Sequence, residues 1–158
     1  MTWPLHALYC GQSAKERSQL PARKPVKVIL DSSFLFIPVQ FRVDIYVELA
    51  KLLNRKFEPM ILSPTTDELE RIAKGGSAKL RKQAALALQF AKKCRQVEAM
   101  RGKDEPHDDV IVRVASEARS YVATNDRALR KRLRALEVPV IYLRQKSRLA
   151  LEGTIQEA

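Results

Sequence analysis

The chain is poor in the residues that build disulfide or zinc frameworks. It has two cysteines, Cys10 and Cys94, and two histidines, His6 and His107, among 158 residues. Two well-separated cysteines do not make a disulfide framework, and with two histidines they argue against a structural zinc site. The low cysteine content also makes a cytoplasmic location the default expectation.

Long apolar runs and glycine-rich motifs are missing as well. No run approaches the roughly 18–20 residues that a bilayer span requires. The start, MTWPLHALYCGQSAKER, lacks the basic residues and long apolar segment of a signal peptide. No membrane partner is therefore expected. The five glycines form no dinucleotide-binding or Walker fingerprint after any predicted strand. With only two histidines, a Ser-His-Asp or Cys-His catalytic site has little support.

Acidic residues are few relative to basic ones. Lys and Arg total 29 against 18 Asp and Glu, which gives a net charge of +11. Such an excess in a small domain favours a polyanionic partner, most often nucleic acid. The alternative is a solvated surface rich in salt bridges, as in proteins from hot environments.

Strands alternate with helices after a basic, irregular N-terminal arm at 1–25. This alternation predicts an α/β domain over 26–145, a three-layer α/β/α sandwich around a central parallel sheet of about five strands. Residues 146–158 are assigned to a C-terminal tail. The predicted strands are VKVIL, EPMILSP, QVEAM, SYVAT and VPVIYL; the predicted helices lie around 43–54 and in SPTTDELERIA, AKLRKQAALALQFAKKC, HDDVIVRVASEA and DRALRKRLRAL.

Four of the seven aspartates lie where these elements meet. Asp31 follows the first strand, Asp108 and Asp109 begin a helix, and Asp126 follows the strand SYVAT. Ligands of open α/β sheets bind beyond the carboxyl ends of the strands, so with the first strand central these acids converge at one edge. A further acidic pair, Glu68 and Glu70, lies in the helix after the second strand.

Clustered carboxylates repel one another unless a cation is present, and hard oxygen ligands select Mg²⁺ or Mn²⁺. Each acid also has an ordinary structural explanation. Asp31 suits a turn, Asp126 suits a helix N-cap, with Thr124 as an alternative cap, and Asp108 and Asp109 complement a helix dipole. Ser63 or Thr65 is expected to cap the helix that begins near Pro64.

The ordered pieces VILDSS, TTDELERI, HDDVIVRVA and VATNDRALRKRLR resemble the PIN-domain ribonucleases over roughly 26–145. In that family four acids bind divalent metal for RNA hydrolysis. The resemblance places the catalytic and metal-binding quartet at Asp31, Glu68, Asp108 and Asp126. It assigns supporting positions to the hydroxyls of Ser32, Ser33 and Thr124, with Asp109 as a further supporting acid.

The resemblance implies a metal-dependent endoribonuclease using Mg²⁺ or Mn²⁺. The amino-acid sequences of the motifs look closer to the archaeal and eukaryotic PIN nucleases of small-subunit ribosomal RNA processing than to the VapC toxins. Ribosomal or pre-ribosomal RNA is therefore the expected partner. A VapC-type toxin and a non-cleaving RNA-binding module are the alternatives. Loss of a quartet acid would mark the non-cleaving module, and all four positions are filled. A homodimer is expected by family analogy alone.

Two finer predictions follow from the helices. The helix RALRKRLR is expected to contribute to RNA binding, with Leu129 and Leu133 turned to the core; a solvated basic face is the alternative. Its basic residues are Arg127, Arg130, Lys131, Arg132 and Arg134. At about 100° per residue, Asp109 points away from the apolar stripe of its helix and Asp108 lies at the stripe's margin, which favours Asp108 as the metal ligand.

Overall fold

The fold is seen in a computed structural model that describes residues 24–155. Its strands are β1 (Val26–Leu30), β2 (Phe57–Leu62), β3 (Arg95–Val97), β4 (Tyr121–Ala123), β5 (Val140–Arg144) and β6 (Arg148–Glu152). Its helices are α1 (Ser32–Leu35), α2 (Ile37–Phe41), α3 (Ile45–Leu53), α4 (Ser63–Gly75), α5 (Ala78–Ala91), α6 (His107–Ala118) and α7 (Arg127–Ala135). All but the first 23 residues and the last three are therefore placed.

The six strands form one sheet in the order β3-β2-β1-β4-β5-β6. β1 is flanked by β2 and β4, with Ile29 aligned with Met60 on one side and Val122 on the other. The first five strands are parallel, so their carboxyl ends meet at one edge. The first strand is therefore central, which is the condition for the predicted convergence of the acids that follow β1 and β4.

The last strand corrects the sequence prediction. β6 runs antiparallel to β5, with Tyr142 opposite Ala150. The sheet is therefore mixed and has six strands, where about five parallel strands were predicted. Residues 148–152, assigned to a C-terminal tail, are part of the sheet.

Apolar side chains cover both faces of the sheet, which explains why β1 is buried throughout its last three residues. Val28 and Leu30 enter one core with residues of α1, α3 and α5, whereas Ile29 enters the other core with residues of α6 and α7. This alternation places helices on both sides of the sheet and confirms the predicted three-layer sandwich. Leu129 and Leu133 are both fully buried, as predicted for α7.

The helix starts differ from the sequence prediction in two places. Asp44 caps α3 by accepting hydrogen bonds from the backbone N–H groups of Tyr46 and Val47. At α4 neither predicted cap is used, because the N-cap residue is Leu62 and makes no side-chain cap bond. The Thr65 hydroxyl instead contacts His107.

None of the helices in 24–155 combines the length and apolar character needed to cross a bilayer. The predicted N-terminal arm lies outside the described residues, apart from Lys24 and Pro25.

Candidate active site

Asp31 lies directly after the central strand and is almost fully buried, with 4% of its surface exposed. Its backbone N–H donates to the carbonyl of Ala123, which ties the end of β1 to the end of β4. The hydroxyls of Ser33 and Thr124 each donate to Oδ2 of its carboxylate over 2.8 Å. Two hydroxyl donors offset part of the cost of burying this charge and fix its orientation.

The segment after β4 carries the second acid. The Thr124 hydroxyl accepts from the backbone N–H of Asp126 over 3.1 Å while it donates to Asp31. Oδ1 of Asp126 caps α7 by accepting from the N–H groups of Ala128 and Leu129. The capping interpretation of Asp126 is therefore correct. Because both cap bonds end on Oδ1, capping leaves Oδ2 available as a cation ligand.

Asp108 is the third acid, in the first turn of α6. The pKa of its carboxyl is raised, first by partial burial and then by the negative charges of Asp31 and Asp126. The charges of His107 and Arg132 oppose this shift and are smaller effects. Asp31, Asp108 and Asp126 are thus close enough for their charges to repel one another, although they come from three separate parts of the sequence.

Asp109 points to a different partner. Its Oδ1 accepts from the Arg132 guanidinium over 2.7 Å, in a pair whose side chains are both more than 40% exposed. This ion pair joins α6 to α7 at the surface. Asp108 and Asp109 are therefore distinguished by their surroundings, in the direction that the helical phase predicted.

Glu68 completes the predicted quartet from α4. Its Oε2 accepts from the Ser32 hydroxyl over 3.1 Å and lies 3.2 Å from Nδ1 of His107. Nε2 of the same imidazole lies 2.6 Å from the hydroxyl of Thr65. Glu70 is exposed on the same helix. Ser32 and Ser33, next to one another, thus support different acids.

His107 is the residue whose role sequence reasoning missed. In the sequence it is only one of two histidines, and no residue pattern connects it to Thr65, 42 positions earlier. The available signal is its place directly before Asp108.

The fit of this site to a divalent cation rests on donor chemistry and charge. Within 24–155, no three His, Cys, Asp or Glu side chains are grouped closely enough to hold a metal ion in their present positions. The donors are nonetheless carboxylates and hydroxyls, the ligands of Mg²⁺ and Mn²⁺. The repulsion felt by Asp108 is also the condition that a cation relieves.

The predicted RNA-binding residues of α7 fall into two groups. Arg127, Lys131 and Arg132 are exposed, although Arg132 is paired with Asp109. Arg130 is half-buried, its guanidinium 4.1 Å from the centre of the Tyr142 ring. Arg134 is also half-buried and donates to the carbonyl of Val138 over 3.2 Å. The structure therefore favours the first two turns of α7 as the part able to contact a polyanion.

Comparison with known proteins identifies the fold family. Residues 28–146 match the family described as a PIN like domain. The chain belongs to the PIN-like domain family. It is also 32% identical over 130 residues to Ribonuclease VapC4 of Methanocaldococcus jannaschii, a match that covers 82% of this chain and 98% of the relative.

Solved structures agree with this assignment. The PIN-domain endonuclease Utp24 superposes with a TM-score of 0.69 at 27% identity, covering 85% of this chain and 96% of that one. A domain of a functionally unknown Methanocaldococcus jannaschii protein shares the fold, with a TM-score of 0.56 at 19% identity over 84% of this chain and 98% of the other. The predicted PIN-like fold is confirmed.

Proposed function

We propose that this PIN-like domain is a metal-dependent endoribonuclease that hydrolyses RNA phosphodiester bonds. The observation that carries the proposal is the arrangement at the carboxyl edge of the sheet. There a buried Asp31 is oriented by two hydroxyls, and its charge acts on Asp108 together with that of Asp126. The similarity to Ribonuclease VapC4 and to the endonuclease Utp24 supports the same reaction class.

Four side chains would hold the metal: Asp31, Glu68, Asp108 and Asp126. Bound Mg²⁺ or Mn²⁺ would supply activation of a water nucleophile and charge stabilisation at the leaving oxygen. The chain's own hydroxyls orient the ligands, since Ser33 and Thr124 fix Asp31 and Ser32 fixes Glu68. Restricting the carboxylates of Asp31 and Glu68 before the metal binds lowers the entropic cost of assembling the site.

The expected substrate is ribosomal or pre-ribosomal RNA. The sequences of the motifs support this assignment, because they resemble those of the PIN nucleases of small-subunit ribosomal RNA processing. The 32% identity to Ribonuclease VapC4 supports a toxin of a toxin–antitoxin pair as the alternative. Site-specific cleavage of a small-subunit ribosomal RNA precursor favours the first role. Growth arrest of cells that express the native chain, but not of cells that express Asp31→Asn, favours the toxin role.

The reaction class is tested by incubating the purified full-length chain with structured and single-stranded RNA. We expect internal cleavage with Mn²⁺ or Mg²⁺ and none with EDTA, because the acidic edge repels phosphate unless a cation neutralises it. Products are resolved on denaturing gels, and Asp31→Asn protein prepared in parallel is the control for contaminating nucleases. Cleavage that persists in EDTA contradicts the proposal, and RNA binding without cleavage under any metal condition assigns the chain to the non-cleaving class.

The exposed cations of α7 give a separate prediction about RNA binding. Replacing both Arg127 and Lys131 with Gln should weaken binding and flatten its salt dependence, by roughly 0.7 in log–log slope for each lost contact to single-stranded phosphate. Fluorescence anisotropy titrations at several salt concentrations, with EDTA to prevent cleavage, measure the slope.

Arg134→Gln is the matched control for this measurement. It removes one positive charge from the same helix, where the double variant removes two. Unlike Arg127 and Lys131, Arg134 is half-buried and donates to the Val138 carbonyl. The control should leave the slope near the native value. Equal slopes for the native chain and the double variant would assign the RNA-binding surface elsewhere.

A further inference from the structure

A chain of three side chains in polar contact connects the interior of the domain to Glu68. It begins at Thr65, which is fully buried, passes through the imidazole of His107, and ends on Oε2 of Glu68. Thr65 and Glu68 are three residues apart on α4 and therefore share a face of that helix. His107 is the first residue of α6. The chain thus joins the helix that carries Glu68 to the helix that carries Asp108.

The partners limit where the imidazole protons lie. Oε2 of an ionised Glu68 can only accept, so Nδ1 carries a proton on the side that faces this carboxylate. The Thr65 hydroxyl can donate to Nε2 of a neutral ring or accept from Nε2–H of a charged one. The buried hydroxyl therefore holds the ring in place beside Glu68 in either state.

The hydrogen bond from Ser32 and the contact with His107 both end on the same oxygen of Glu68. Ser32 donates to Oε2 over 3.1 Å and His107 lies 3.2 Å from it. A carboxylate held twice through one oxygen has little freedom to rotate, and its other oxygen, Oε1, remains to act as a ligand. Partners of this kind orient metal-binding carboxylates in many sites, and losing them typically lowers metal affinity or activity by about 10- to 100-fold.

We propose that His107 is a positioning residue that, with Thr65 behind it, orients Glu68 for cation binding. This inference rests on the proposed function, because it takes Glu68 as a metal ligand. His107 itself does not contact the cation. Its Nδ1 lies 3.2 Å from Oε2 of Glu68, and its Nε2 lies 2.6 Å from the Thr65 hydroxyl. These contacts join the start of α6 to α4 and so set Glu68 and Asp108 relative to each other.

Two amide substitutions separate this role from a merely structural one. In His107→Asn the side-chain amide occupies the position of Nδ1 and can still donate to Glu68. In His107→Gln the amide reaches the position of Nε2, towards Thr65, and the contact with Glu68 is lost. His107→Ala removes both ends of the ring. The Asn and Gln variants thus keep the same amide group and differ in which partner, Glu68 or Thr65, it can reach.

The experiment is calorimetric titration of the full-length chain with Mn²⁺ in the absence of RNA. We expect affinity to fall about 10- to 100-fold in His107→Ala and His107→Gln, and to recover to within a few-fold of native in His107→Asn. With RNA, kcat should follow the same order while KM changes little. Circular dichroism and thermal melting show whether each variant is folded.

Several results would overturn the proposal. Native-like Mn²⁺ affinity in folded His107→Ala would do so, as would equal losses in the Asn and Gln variants. A native chain that binds no Mn²⁺ would remove the positioning role and the proposed function together. A native chain that binds Mn²⁺ but cleaves no RNA would refute only the proposed function, because the order of Mn²⁺ affinities would still decide the role of His107.

A spectroscopic measurement tests the position of this proton directly. ¹⁵N NMR of the native chain should show His107 protonated at Nδ1, with the resonances assigned by their loss in His107→Asn. Thr65→Val should shift the Nε2 resonance, because its hydroxyl partner is gone. A His107 ring that is bare at Nδ1 would contradict the proposal.

Discussion

Asp31→Asn should lower the rate of RNA cleavage by about 100- to 1,000-fold. This is the range seen when one preorganised electrostatic group is removed from an active site. The reason is that Asp31 is the buried acid at the end of the central strand, with its carboxylate already oriented by Ser33 and Thr124. The amide keeps the shape and can still accept from both hydroxyls, but it has no negative charge to bind a cation. The variant should therefore fold as the native chain does.

Asp44→Asn is the matched control for this prediction. Asp44 is also a hydrogen-bonded aspartate, but it caps α3, and Asn is an equally good N-cap. Cleavage rates and thermal melts of both variants are measured beside the native chain. We expect loss of activity at position 31 alone. Cleavage by Asp31→Asn at the native rate would show that the reaction does not depend on this edge of the sheet.

The second large effect separates the two neighbouring aspartates of α6. Burial and the charges of Asp31 and Asp126 raise the pKa of Asp108, so its ionised form is disfavoured in the folded, metal-free chain. Asp108→Asn removes that penalty and should raise the melting temperature in EDTA. The substitution should also remove most of the RNA-cleavage activity. It should remove most of the increase in melting temperature that Mn²⁺ gives the native chain.

Asp109→Asn should behave in the opposite way. It breaks an exposed ion pair with Arg132, a type of interaction that contributes about 0–1 kcal/mol. The melting temperature in EDTA should stay equal or fall slightly, and activity and Mn²⁺ stabilisation should be retained. Melting curves with EDTA and with Mn²⁺, together with cleavage rates, test both variants. Equal losses would mean that both acids bind the metal, and a larger loss at Asp109 would reverse the assignment.

The sequence predicted the parts of the site that depend on strand ends. A buried run followed by Asp31, and a second followed by Thr124 and Asp126, place these residues at one edge once the sheet is parallel. The helical phase also predicted that Asp109 points away from the core, and its side chain lies in an exposed ion pair with Arg132. These features were predictable because strand burial and helix periodicity are local properties of the chain.

Features that depend on tertiary contact were not predicted. β6 was missed because its turn after β5 has positive φ at Gln145 and Lys146, where such hairpins usually carry Asn or Gly. Without that signal, the short segment at 148–152 read as a tail. The link from Thr65 through His107 to Glu68 joins residues that no short motif connects.

We infer that the acids at the carboxyl edge of the sheet bind the catalytic cation. The anomalous diffraction signal of Mn²⁺ in crystals of the full-length chain tests this binding site most directly. We expect a peak among the carboxylates of Asp31, Asp108 and Asp126, with Glu68 beside it. A chain that cleaves RNA in Mn²⁺ but shows its Mn²⁺ peak elsewhere, or none at this edge, would contradict it.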